Sequence, residues 1–502
     1  MSLKLLVIGI DGAAFPIVSR LVADGRMPAL AKLIESGTWG ALEATFPPHT
    51  APGWASLFTG VQPGEHGIYQ FWETQSADYS PRIRTMHDFG WEPLWQTLSR
   101  HGLRVGMVNV PMSHPPTSLP GGYMISWPLS PTIHYSEPPS LIRELAKAGL
   151  HYHSDLVTMY NGDREYAERA EQFIIQRTRT LNYLMENRPV DALIAVYTEV
   201  DRVSHYYWGE RSEPGAEVVK IYETMDRAVG DLIQHASEDT LVVIASDHGF
   251  GVCHRNLNVH HLLEQAGIMK VDLIPADHGK AFNSDELIGS DGSPNWFRSS
   301  SRYVRAIDWS NTLAYMPTPG CYGLNLNRRG REKHGIVDVG AEATVVQHLT
   351  EAFAALRDED GAPYFEVVPS HTVYRGHRVA DAPDLLLLPK RWDIMPHPTL
   401  EPQLWSPPSQ VAIHRMEGIL CLRGRGVSRQ LTANATIEDV TPTILAYLGM
   451  PIPAELDGRS LFPGMGTGAQ EGPLRVCKAS APTLSTEEVA QLEARLHALG
   501  YM

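Results

Sequence analysis

Cysteine is scarce in this chain. Four among 502 residues (Cys253, Cys321, Cys421 and Cys477) stand far apart with no CxxC pair, which argues against a disulfide scaffold or a thiolate metal knuckle. Also missing is any run near the roughly 20 apolar residues that span a bilayer, so no membrane partner is expected. Cationic side chains are in deficit, 42 Lys and Arg against 57 Asp and Glu, for a formal net charge of −15. That balance argues against a nucleic-acid scaffold, whose nonspecific affinity comes from Lys and Arg on phosphates. It does not exclude a small anionic substrate, because bound cations reverse the local field. The first residues, MSLKLLVIGIDG, show no charged n-region, long apolar h-region or cleavage site, and with the reduced cysteines this sets the expectation of a cytoplasmic location. No internal repeat is visible, and a homo-oligomer is left open.

With 43% hydrophobic residues, the chain can bury a large core. Short apolar runs bounded by turn residues read as buried parallel strands at 3–9, 104–110, 191–197, 240–246, 383–388 and 417–422. Helical spacing runs through PIVSRLVADG, MPALAKLIESG, 164–187 and 216–236. This alternation predicts an α/β fold, a doubly wound and mostly parallel sheet with helices on both faces. The pattern loosens from 255 to 380, which is expected to form an inserted cap. The catalytic core would then comprise 1–254 and 381–463. Residues 464–502 read as a linker and a terminal helix, with Ser485 and Glu488 as its capping box.

Three of the apolar runs each deliver metal-binding side chains to their carboxyl ends. Asp11 follows LKLLVIGI, Asp201 follows ALIAVYTEV, and Asp247 with His248 follows TLVVIAS. In an open α/β sheet that edge is where ligands bind. Asp201 and His205 lie four residues apart, so on a helix they share one face. Carboxylates and imidazoles suit Zn²⁺, and Mn²⁺ accepts the same donors.

The joint pattern resembles the alkaline phosphatase superfamily, in its type I phosphodiesterase/nucleotide pyrophosphatase branch. The resemblance is carried by GIDG at 9–12, TFPPHTAPGWASLFTGVQPGEHGI at 45–68, VDRVSH at 200–205, SDHGFG at 246–251, HRMEGI at 414–419 and EDVTPTILAYLGMPIPAELDGRSL at 438–461. It implies a phosphohydrolase with two divalent cations, one held by Asp11, Thr50, Asp247 and His248, the other by Asp201, His205 and His414. It further implies that Thr50, nine residues before Thr59-Gly60, is the nucleophile that forms a covalent phospho-threonine. Thr45, which precedes Phe46-Pro47, is the competing candidate. Backbone N–H groups after Thr50 are expected to help hold phosphoryl oxygens if a helix opens there. The branch carries an Asn shortly after HGI that binds a phosphoryl oxygen, whereas this chain reads YQFW with Phe71 nearest. Arg255 and His254, and His260 beyond them, are the candidates to replace it.

The expected substrate is a small phosphorylated metabolite or nucleotide. Phosphomonoesterase and phosphomutase readings stay open, as does a binding protein that has kept the fold without turnover. A sulfatase is disfavoured, because Thr50-Ala51-Pro52-Gly53 lacks the Cys or Ser precursor and the Arg of that setting. Asp439 is expected to cap the helix TPTILAYLG, and Asp457 to sit in a turn.

Overall fold

The computed structural model describes residues 2–127, 134–152, 165–209, 213–275, 303–428 and 434–462. These residues form two compact units, one of 2–68, 85–252 and 412–462, the other of 69–84 and 253–411. The second unit takes in 381–411, which the sequence pattern assigned to the core, and the segment 69–84 as well. Residues 464–502, with their expected linker and terminal helix, lie outside the described residues.

The first unit is built on nine strands: β1 (Leu5–Ile10), β2 (Thr38–Glu43), β3 (Val105–Val108), β4 (Tyr123–Ile125), β5 (Ser136–Glu137), β6 (Ala192–Tyr197), β7 (Leu241–Ala245), β8 (Glu417–Arg423) and β9 (Ala435–Thr436). Their order across the sheet is β9-β2-β8-β7-β1-β6-β3-β4-β5. β1 pairs parallel with both β6 and β7. Every residue of β1, β6 and β7 is buried, as a central strand covered on both faces requires. Alternation of side chains assigns those faces. Leu6, Ile8 and Ile10 join the core made with Ile17, Leu21, Leu181, Ile221 and Met225 of the flanking helices. Gly9, of opposite parity, lies so close to the helix Thr50–Thr59 that an added Cβ would fall 2.4 Å from the Trp54 ring.

Two strands correct the sequence reading. β8 was expected to be parallel, but it runs antiparallel to β7 and β2, since an apolar run carries no information on direction. Its reversal means that the chain enters β8 from the carboxyl edge of β7. The expected strand at 383–388 is observed as Leu385–Pro389, in a separate antiparallel sheet with Gly323–Leu326 and Phe365–Pro369. The second unit also contains a three-stranded sheet centred on Arg255–Asn258 and the antiparallel pair of Val271–Pro275 with Tyr303–Ile307.

No helix among the described residues is long and apolar enough to cross a membrane. Asp439 has a different task from the one expected. It closes a 3₁₀ turn with Thr436, and its carboxylate accepts from the backbone N–H of Thr436 and of Arg459. The Asp457 carboxylate accepts from the backbone N–H of Gln62.

Candidate active site

The seven candidate ligand positions all belong to the first unit, and the fold brings them together at the carboxyl edge of its sheet. Asp11 ends β1, and Asp247 and His248 follow β7. Asp201 and His205 lie on the helix Glu199–Tyr207 directly after β6. His414 sits on the short strand Ala412–Arg415, opposite Phe250, and the reversed β8 delivers that strand to this edge. Thr50 is the first residue of the helix Thr50–Thr59.

Two clusters result, Asp11 with Asp247 and His248, and Asp201 with His205 and His414, the potential ligand atoms of each lying within 4.8 Å of one another. Thr50 Oγ1 lies 3.5 Å from Asp11 Oδ1 and 3.4 Å from His248 Nε2. In the second cluster, His414 Nε2 lies 3.1 Å from both Asp201 Oδ1 and His205 Nε2. Asp201 Oδ1 is also 3.9 Å from His248 Nε2, so the clusters adjoin.

Every one of the six side chains is oriented by a second contact. His205, His248 and His414 present Nδ1 to the backbone carbonyls of Ala412, Gly249 and Pro48 at 3.0, 3.1 and 2.9 Å. A carbonyl only accepts, so each Nδ1 carries a proton, and with the ring neutral it is Nε2 that turns a lone pair inward. The carboxylates follow the same plan. Trp54 Nε1 donates to Asp11 Oδ2 at 3.1 Å, Arg202 Nη1 to Asp201 Oδ2 at 2.8 Å, and Gly12 N to Asp247 Oδ1 at 3.1 Å. The opposite oxygen of each carboxylate faces its cluster, and Asp247 Oδ2 has no hydrogen-bond partner among the described residues. Acceptors thus converge on acceptors in a buried space, an arrangement that a cation satisfies.

The electrostatics agree. Burial, with Asp247 and Asp201 nearby, drives the Asp11 carboxyl well above its ordinary range, and burial does the same to Asp247. Burial also opposes ionisation of Asp201, but His205 and Arg202 outweigh it and hold that carboxyl well below its usual value. Burial and the neighbouring His414 keep His248 neutral. A bare site cannot hold its three carboxylates charged without cost, and divalent ions relieve it.

The remaining candidates make contacts of their own. Thr45 is buried, and its hydroxyl lies 3.4 Å from the Pro47 carbonyl. The N–H groups after Thr50 do not form the expected oxygen cradle: Ala51 N donates to His49 Nδ1, Gly53 N donates to the His49 carbonyl, and Pro52 has none. In the second unit, Arg255 donates to the Tyr364 hydroxyl and lies 4.0 Å over the Trp405 ring. His254 Nδ1 lies 3.0 Å from Asp393 Oδ2. Phe71 and His260 are buried side chains of that unit.

Three contributors escaped the sequence reading. Trp54 and Arg202 orient carboxylates, and His49, capping the helix of Thr50, brings its ring 6.0 Å from that of His414. Arg202 left a readable trace, a charged residue directly beside a candidate ligand in DRVSH. Trp54 and His49 left none, since aromatic side chains on a buried helix suit a core equally well.

The family model for type I phosphodiesterase/nucleotide pyrophosphatase matches residues 5–419. Among solved structures, phosphonoacetate hydrolase from Sinorhizobium meliloti 1021 in complex with phosphonoformate superposes with a TM-score of 0.58 at 15% identity, covering 89% of this chain and 95% of that one. Human ectonucleotide pyrophosphatase/phosphodiesterase 5 gives a TM-score of 0.51 at 13% identity over 90% and 96%. These two likenesses speak for the fold. No curated protein matches the sequence. On the family match, with a fold and a pair of acceptor clusters that agree with it, the chain belongs to the type I phosphodiesterase/nucleotide pyrophosphatase family of the alkaline phosphatase superfamily and is a hydrolytic enzyme of the phosphohydrolase kind.

Proposed function

We propose that the protein cleaves phosphodiester or pyrophosphate bonds in a small phosphorylated metabolite or nucleotide, through a covalent intermediate on Thr50. The observation that carries this reading is the placement of the Thr50 hydroxyl against Asp11 and His248, in a space ringed by inward-facing acceptors. Asp11, Thr50, Asp247 and His248 would hold one divalent ion and Asp201, His205 and His414 the other, Zn²⁺ by donor type with Mn²⁺ as the alternative. When bound, such ions promote ionisation of a hydroxyl, neutralise phosphoryl oxygens and stabilise a departing oxygen.

The chain supplies the rest. Thr50, fixed at the start of a buried helix, gives up its hydroxyl proton to water, and Oγ1 forms a bond to phosphorus as the bond to the leaving oxygen breaks on the opposite side, the leaving oxygen taking a proton from water. Water then attacks the phospho-threonine, releasing the phosphoryl product and restoring the hydroxyl. Asp11 and His248 keep the Thr50 oxygen at its place throughout, with the indole of Trp54 holding Asp11.

The test is turnover of bis-p-nitrophenyl phosphate and p-nitrophenyl phosphate, with Zn²⁺ and Mn²⁺ supplied separately, by wild type, Thr50→Ala and Thr45→Ala. The proposal expects Thr50→Ala alone to abolish hydrolysis and the diester to be the better substrate. A preference for the monoester would move the enzyme to the phosphomonoesterases. Binding of both metals with no turnover of either ester would favour a phosphomutase or a binding role.

A further inference from the structure

Arg202 follows Asp201 directly on the helix Glu199–Tyr207. Consecutive helical side chains do not face one another, yet Arg202 folds back on its neighbour, with Nη1 2.8 Å from Asp201 Oδ2 and the two side chains 1% and 0% exposed. Taking a guanidinium out of water is costly, so its burial calls for an anion worth holding. Asp201 is that anion, and its other oxygen, Oδ1, stands 3.1 Å from His414 Nε2 and 3.4 Å from His205 Nε2.

We infer that Arg202 is a positioning residue that makes Asp201 a one-oxygen ligand. With Oδ2 claimed by the guanidinium, the cluster offers three donor atoms, one each from Asp201, His205 and His414. Catalytic zinc sites keep three protein ligands and an open position. A carboxylate free to swing both oxygens inward would fill the position that a substrate oxygen needs. Lys at 202 would keep the charge but not the planar fork that fixes one oxygen. The inference rests on the two-cation reading above.

The test uses the full chain loaded with Co²⁺, whose visible absorption weakens as coordination number rises, in wild type, Arg202→Lys and Arg202→Met. Affinities come from competition with a chromophoric chelator, and folding is followed by circular dichroism. For each folded variant we expect one equivalent held as in wild type, the other weakened about 10–100-fold, and a loss of band intensity. Arg202→Lys retains the buried charge and decides the matter if Arg202→Met does not fold. Two equivalents held at wild-type affinity with unchanged bands would overturn the inference, as would loss of both equivalents from folded Arg202→Lys, because the role belongs to one cluster. Fewer than two equivalents in wild type would instead contradict the two-cation reading itself.

Discussion

Replacing Arg177 with Met should cost more stability than removing its whole ion pair. Arg177 projects from the helix Tyr166–Asn187, and its Nη1 reaches both carboxylate oxygens of Glu199, Oε2 at 2.6 Å, with both side chains sealed from solvent. Glu199 opens the helix that carries Asp201 and His205, so this pair ties the second cluster to the packed helices. At an effective dielectric constant of about 20, charges about 4 Å apart attract by about 4 kcal/mol. Desolvation, at several kcal/mol per ion, cancels that gain. The intact pair therefore contributes little net stability. Arg177→Met, however, leaves the buried carboxylate without its guanidinium and should cost about 3–5 kcal/mol, and Glu199→Gln, which takes the carboxylate from the guanidinium, a similar amount. The double variant, which removes both charges, should lose less than either single one. Urea unfolding of the three variants, followed by tryptophan fluorescence at its first transition, measures this coupling. Additive losses in the double variant, or single losses below about 1 kcal/mol, would refute the reasoning.

Gly9→Ala places a methyl 2.4 Å from the Trp54 ring and 2.8 Å from Val196. It should cost about 1–3 kcal/mol in a thermal melt, and an unchanged melt would contradict the close packing. Trp54→Phe removes the N–H that holds Asp11 Oδ2, and a chelator titration should find metal at that cluster about 10-fold weaker or more. His260 accepts a hydrogen bond from Met316 N, and burial pushes its pKa down to about 3, against about 6.5 in the unfolded chain. The unfolded chain therefore takes the proton first, so this stability is complete above about pH 6.5 and is lost as pH falls towards 3. Between pH 7 and pH 5 the loss should be about 2 kcal/mol in urea unfolding, reduced in His260→Gln; equal pH slopes for the two proteins would contradict it.

What was legible in the sequence follows from what a pattern encodes. Apolar runs ending in Asp11, Asp201 and Asp247 gave both the strands and their functional edge, because burial on two faces demands continuous hydrophobic residues and side chains just past the run must lie at the strand end. Direction was not encoded, so Glu417–Arg423 was expected to be parallel and Leu385–Pro389 to be in the central sheet. The candidate ligand types were readable, while their supports were not. The carbonyls of Ala412, Gly249 and Pro48 that set the histidine tautomers are backbone atoms, available at any residue and chosen only by the fold. The expected N–H cradle failed for a local reason, since Pro52 lacks a donor and His49 consumes the ones beside it.

The central claim is that two sets of buried acceptors at one sheet edge each hold a divalent ion. Elemental analysis of the purified chain after loading with Zn²⁺ and removal of unbound metal tests it most directly, beside His205→Ala, which removes one donor of the second set. The account predicts two equivalents in wild type and one in the variant. Retention of one equivalent or none by the wild type, or of two by His205→Ala, would contradict it.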